Sequence, residues 1–507
     1  MNIYFHYSLL VLLIYSSFLS NKNISCIIII PFSITNPNYE LISNEIDLMS
    51  YLYNLSLYSN ISIGSPLQQV KMILNFDKYA FSIPNNAYKH EESETYKEIE
   101  ASKTISDGIE YKGTYSSDNL KLINIDSNDL NQLFQKTDYD KFILDEKYKK
   151  IFNDISFVNI ISDEQYGYIG FKYPDSNNNL DIFNIVSFLK NRNIINNYAW
   201  TFLFETKKDN KIITINDYNK IKGKVIIGDN LYNYYSNKYT YNISNTVNII
   251  QRNGLLNWDL EMSNIYINNN ILYISTKVEL RPDSTLHFGT FTFKANLDVQ
   301  FFSQLFNQSI CESKNMILFP HIIYYVCDNS KKGENNESFD LQKFPNISFT
   351  HKTLNGNFTL TYKDLFIQDV KNKNIFYFLI AFDRKRMFDM DEDRFVLGMK
   401  FFEKYKFEFD IDKKLIRYYD IIEINDDETK NDNLNDKTNE KKDHSIILYL
   451  GLIILLGVLI FVLGMLFQKK ILRIPMKTRA NELDDEDFEY KAKSEEKNED
   501  KTLGINE

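Results

Sequence analysis

"YSNISIGSPLQQVKMILNFDKYAFSIPN", residues 58–85, alternates apolar and polar side chains on either side of Gly64-Ser65-Pro66. Period-two alternation around Gly/Pro punctuation marks a β-hairpin. Two strands are therefore expected, and the second continues through Asn75-Phe76-Asp77 towards Ile83-Pro84. Working outward, short β-branched and aromatic runs recur, each bounded by Asn, Asp or Gly. They include "KIITIND" (211–217), "GKVIIGD" (223–229), "WDLEMSNIYINNN" (258–270), "ILYISTKVEL" (271–280) and "KYKFEFDIDKKLIRYYD" (404–420). Each reads as strand or hairpin. One helical pattern, "NNLDIFNIVSFLKNRN" (178–193), interrupts them. The expected fold class is mostly β with a few short helices, and at 507 residues two β lobes are expected.

Both ends of the chain carry signals of location. Residues 7–19, "YSLLVLLIYSSFL", form an apolar stretch too short to span a bilayer and bounded by small or polar residues, so 1–25 is expected to be a secretory signal peptide. Residues 445–467 contain no charge. At ~1.5 Å per residue they reach about 34 Å, enough for a hydrocarbon core of ~30 Å. A single transmembrane helix is expected there. Lys469, Lys470, Arg473, Lys477 and Arg479 follow at once, so the positive-inside rule puts the C-terminal tail, 468–507, in the cytosol. Residues 420–444 are polar, charged and almost without aromatics, and read as a stalk. The expected lobes are 40–238 and 239–419. The topology is type I, with the folded region lumenal or extracellular, in the secretory pathway or a cell-surface membrane.

Charge narrows the partners. Lys+Arg of 58 against Asp+Glu of 68 leaves a net −10, which disfavours a nucleic-acid partner because such binding needs a basic face. The three cysteines fit an oxidising compartment. Cys26 adjoins the expected cleavage site, which leaves Cys311 and Cys327 as the natural pair, with two free buried thiols as the alternative. Seven N-x-S/T sequons lie beyond the signal, at Asn54, Asn60, Asn242, Asn307, Asn336, Asn346 and Asn357, and are candidate glycosylation sites on a secreted face. The six histidines, His6, His90, His287, His321, His351 and His444, show no ligand spacing, so no metal or cofactor is expected. Without a G-x-S-x-G elbow, P-loop or G-x-G-x-x-G, the remaining catalytic resource is carboxylates.

The opening hairpin, with its G-S-P turn and a second strand ending in Ile83-Pro84, resembles the N-terminal signature of the pepsin-like aspartic peptidases. That family has an I-G-T-P turn and a strand running into F-D-T-G-S and V-P. Further segments follow in the family's order. "YGYIGFKYP" (166–174) resembles D-G-I-L-G-L, and "GKVIIGD" resembles G-x-x-x-F-G-G. "NWDLEMSNIYINN" (257–269) is similar to the W…N-G hairpin, "FPNISFTHKTLNG" (344–356) to L-P-x-I-x-F-x-x-x-G, and "RFVLGMKFFEKYKFEFDIDKKLIRYYD" (394–420) to the closing W-I-L-G-D segment. The resemblance covers about 370 residues. It implies a bilobal acid-protease fold with a central cleft, and the position of Cys311 and Cys327 matches the second-lobe disulfide.

The chain departs from the family where chemistry would occur. Counted without gaps, the first D-T-G falls on Asn75-Phe76-Asp77 and the second catalytic aspartate on Arg281 of "VELRPDSTLHFG" (278–289), while the flap tyrosine falls on Ser106. Asn75 has no exchangeable acid proton, and Arg281 is always charged. The expected function is thus a membrane-anchored, catalytically inactive homologue whose cleft retains peptide or protein binding. The alternative is an active aspartic-type endopeptidase in which a shifted register makes Asp77 and Asp283 the dyad.

Overall fold

The computed structural model describes residues 26–35, 48–78, 80–106, 110–126, 148–161, 165–172, 184–205, 212–229, 239–240, 246–248, 250–252, 255–268, 270–332, 340–354, 356–385 and 394–421. The chain divides into two units, Met1–Glu423 and Ile424–Glu507, and the second lies outside the described residues. So do the expected signal peptide, the transmembrane span, the tail, nearly all of the stalk, and the sequons at Asn242 and Asn336. No helix among the described residues is long and apolar enough to cross a membrane.

The first strands are β1 (Cys26–Thr35), β2 (Ser56–Ile63), β3 (Gln68–Asn75), β4 (Phe81–Pro84), β5 (Lys97–Ser106), β6 (Glu110–Asp126), β7 (Lys149–Ile160), β8 (Gly167–Gly170), β9 (Ala199–Phe204) and β10 (Lys222–Ile227). The opening hairpin forms as its pattern predicts. β2 and β3 pair from Leu57↔Leu74 to Ile63↔Gln68, with Gly64 at φ +88° supplying the turn. Along β3, Val70, Met72 and Leu74 are buried, as the period-two geometry of a strand requires.

Among the described residues, two large sheets form, of fourteen and eleven strands, beside the small hairpin of Ile250–Arg252 and Leu255–Asn257. The protein is mostly β, and this arrangement is compatible with a bilobal β fold. The first sheet holds β1–β10. It also takes in Lys406–Asp410, which pairs with β9, and Leu415–Ile421, which pairs with Lys406–Asp410. Sheet membership thus crosses residue 238, the expected end of the first lobe. It also begins before residue 40, because β1 inserts between β10 and β2. Aromatic rings draw the C-terminal hairpin back. Phe409 packs on Trp258 with centroids 4.9 Å apart and on Phe76 at 5.6 Å, and such pairs stabilise beyond the area they bury.

Two local expectations change. "KIITIND" is not a strand: its end forms the start of the helix Ile215–Tyr218, because Thr214 and Asp217 make a capping box. Within the described part of "NNLDIFNIVSFLKNRN", residues 184–193, the helix spans Ile185–Asn191, capped by Asn184 Oδ1 on Val186 N–H and Ser187 N–H. The disulfide Cys311–Cys327 is present, joining the paired strands Cys311–Asn315 and Ile322–Asp328.

One pairing pattern occurs twice. β3 runs parallel to β8, and β4, the next strand in the chain, is antiparallel to β8 and parallel to β7. In the second sheet, Asn270–Leu280 runs parallel to Phe395–Leu397. The chain then turns through 281–286 into His287–Phe288, antiparallel to Phe395–Leu397 and parallel to Ile380–Asp383. The ladders pair Leu74 with Ile169 and Leu280 with Leu397. Each of those partners is followed by a glycine, Gly170 or Gly398. Superposing the repeats on these pairs matches Asn75 with Arg281 and Asp77 with Asp283.

Candidate functional site

The two repeated loops meet. In the first, Asn75 Oδ1 accepts the backbone N–H of Asp77 at 2.7 Å and of Lys78 at 2.8 Å, a side-chain mimic of a turn that Asn makes readily. Phe76 drives the turn from below. Its ring is buried against Phe202 at 5.1 Å and Phe171 at 5.9 Å, so Asp77, one residue on, is left with 63% of its side chain exposed.

The second loop supplies a cation. Arg281 Nε and Nη2 donate to Asp283 Oδ1 and Oδ2 at 2.8 and 3.1 Å, the bidentate geometry that matches a guanidinium to a carboxylate. Nη1 donates to Asp77 Oδ1 at 2.6 Å and lies 3.5 Å from Glu279 Oε1. Asp283 Oδ2 also accepts the Phe76 N–H at 3.0 Å. A side chain and a backbone group of the first loop therefore both bond to the second.

Electrostatics fix this group in one state. Only 16% of the Arg281 side chain and 7% of that of Asp283 are exposed. Burial alone would lower the Arg281 pKa, but the charges of Asp283, Asp77 and Glu279 outweigh it and hold the guanidinium well above its ordinary value. Glu279 also lies 2.9 Å from Arg394 Nε, and Arg394 Nη1 lies 3.4 Å from Asp259 Oδ2. The cluster thus alternates carboxylates and guanidiniums across both sheets.

The residues singled out in the sequence fall in different places. Arg281, Asp77 and Asp283 are brought together, and the two aspartates meet on one guanidinium. Asn75 shapes its own loop. Ser106 ends β5, where it pairs with Glu110, and residues 107–109 lie outside the described residues. Exposed asparagines stand at Asn54, Asn60, Asn307, Asn346 and Asn357. Sequence reasoning missed Glu279, Arg394 and Asp259. Glu279 was within reach of it, since it sits two residues before Arg281 and so on the same side of an extended chain. Arg394 and Asp259 are 135 residues apart and carry no local signal.

Chemically, a guanidinium saturated with carboxylates can hold charges and loops in place but cannot take up a proton. In comparisons with known proteins, the chain matches no family model and no curated protein.

Proposed function

We propose that the chain is a membrane-anchored homologue of the pepsin-like aspartic peptidases in which an ion cluster has replaced the catalytic pair, with the cleft between the two sheets kept for binding a peptide or protein. The observation that carries this reading is Arg281, bonded to both Asp77 and Asp283. Hydrolysis by that family needs two carboxylates sharing one proton, one as base toward water and one as acid toward the carbonyl. Here each carboxylate accepts N–H from the same arginine, and neither is bonded to the other among the described contacts. The repeated strand pairing sets Asn75 at the position equivalent to Arg281, as the ungapped register requires, and Asp77 at that of Asp283 equally, so the choice between the registers rests on the bonds of Arg281. Groups that act as a unit lose nearly all activity when one is removed.

The same reading includes a cleaved signal at 1–25, lobes near 40–238 and 239–419, a stalk, a span at 445–467 and a cytosolic tail. The strand β1 begins at Cys26, so cleavage after residue 25 would leave it whole.

The test is incubation of the full-length chain with unfolded protein at acidic pH, with and without a statine-type inhibitor. No inhibitor-sensitive cleavage is expected. Cleavage that the inhibitor blocks, and that Asp77→Asn or Asp283→Asn abolishes, would instead establish the endopeptidase that uses those two residues. Retention on an immobilised statine-type peptide checks the binding half; passage without retention removes it.

A further inference from the structure

His287 follows directly on the loop that carries Arg281 and Asp283, and it is completely buried. Its Nδ1 accepts the backbone N–H of Gly398 at 2.9 Å, so the neutral ring carries its proton on Nε2. Nε2 has no hydrogen-bond partner among the described residues. Gly398 is also where the loop rests, since a Cβ there would stand 2.4 Å from Leu286 O and 2.6 Å from Ser284 O. On either side, Arg281 N–H donates to Leu397 O at 3.0 Å and Met399 N–H to Ser284 O at 2.7 Å. Three hydrogen bonds thus join residues 281–287 to 397–399, and only the one to His287 depends on a titratable side chain.

Little around the ring welcomes a second proton. From the helix Met399–Lys404, Lys400 opposes a charge on His287, and Glu403 is engaged by Lys400 at 2.6 Å. From the helix Tyr362–Leu365, Asp364 favours that charge, but Lys404 Nζ already lies 3.3 Å from its Oδ2. From the helix Ile215–Tyr218 comes the buried phenol of Tyr218, its ring centroid 5.2 Å from Lys400 Nζ.

We propose that His287 is an acid-operated latch. Once its ring is doubly protonated, Nδ1 cannot accept the Gly398 N–H, the loop 281–286 parts from 397–399, and the Arg281–Asp77 contact between the two sheets loosens. The latch stands whether or not the cleft binds a peptide.

The sign follows from proton linkage. Burial lowers His287 from 6.5 to about 4, with Asp364 opposing the shift and Lys400 adding to it. An opened loop would expose an ordinary imidazole. The closed form is therefore unaffected above the ordinary value and is disfavoured progressively as pH falls through this window, by about 300-fold in total.

Hydrogen exchange of the full-length chain, corrected for intrinsic rates and read on peptides covering 281–286 and 397–399, tests this from about pH 7 to about pH 4. Protection of these peptides is expected to fall by about 100-fold or more. In His287→Asn, whose Oδ1 can take the Gly398 N–H without titrating, that fall should vanish. An equal fall in both proteins overturns the latch. Lys400→Gln, with His287 retained, removes an opposing charge and should move the midpoint to higher pH. An unmoved midpoint overturns the latch as well, and this arm decides alone if His287→Asn does not fold.

Discussion

The guanidinium of Arg281 and the carboxylate of Asp77 come from loops 204 residues apart and meet at 2.6 Å. The two partners of this arginine stand in unlike surroundings, Asp283 almost buried and Asp77 mostly in water. Screening makes an exposed partner worth little, whereas a buried charge left alone is costly.

Removing either end of the cluster should therefore have unequal effects. Arg281→Ala is expected to lower stability by about 3 kcal/mol, because it strands the buried Asp283 without its cation, whereas Glu279 keeps Arg394 beside it. Asp77→Asn should cost less than about 1 kcal/mol. Denaturant midpoints of the two variants check this, and equal shifts would contradict the asymmetry.

A second charge cluster lies wholly inside the first sheet. Arg417 bonds to Glu408 and Asp410, and the Tyr419 hydroxyl donates to Glu408; all four are buried. Burial pulls the Arg417 pKa down, but the carboxylates more than compensate and raise it. Arg417→Ala should cost about 3–5 kcal/mol. Replacing Arg417, Glu408 and Asp410 together by apolar residues of similar size should cost much less, which thermal unfolding of the two variants would reveal.

Lys406 gives a pH signature. It is buried, its Nζ donates to Phe402 O and Glu403 O, and desolvation, partly offset by Glu403, brings its pKa down to about 8 from 10.5. Between those values the unfolded chain holds a proton that the folded chain has released, so stability rises with pH across that window, by up to about 3 kcal/mol from this residue. Lys406→Met should abolish the rise and raise stability at neutral pH. A stability–pH curve unchanged by the substitution would refute the assignment.

The disulfide closes a loop with a sequence separation of 16. Cys311→Ser with Cys327→Ser should lower stability by about 3 kcal/mol on the chain-entropy model. The unaltered protein under reducing conditions should show the same loss, and a variant as stable as the parent would place the source of stability elsewhere.

Glycosylation tests the proposed lumenal placement. The asparagines at 54, 60, 307, 346 and 357 are exposed, so expression through a secretory pathway should add enzyme-removable glycan mass at these sites. Protease added outside intact vesicles should remove only the tail after Lys470. Unglycosylated protein would reverse the orientation.

Much of this architecture is legible locally. The hairpins around Gly64 and in residues 404–420 announce themselves by alternation and turn residues, because strand burial has a period of two. The Cys311–Cys327 pair follows from composition and position. What local pattern cannot carry is membership: nothing in "KFEFD" says that it will pair with Ala199–Phe204 rather than with the strands around it. That choice rests on rings such as Trp200, Trp258 and Phe409, which meet only in the folded chain. The site shows the same division. Arg281 and Asp283 are neighbours on paper, but Asp77 and the Phe76 N–H join them only through tertiary structure.

The return of residues 406–421 to the first sheet has a consequence during synthesis. β9 appears early, yet its partner Lys406–Asp410 emerges about two hundred residues later. Until then the nascent chain carries an open strand edge beside an uncovered row of aromatic rings, the kind of surface that recruits other chains. A chain truncated before Lys406 would keep that edge permanently and should aggregate. The last residues of the folded body thus act as the closure that ends the protein's most vulnerable interval.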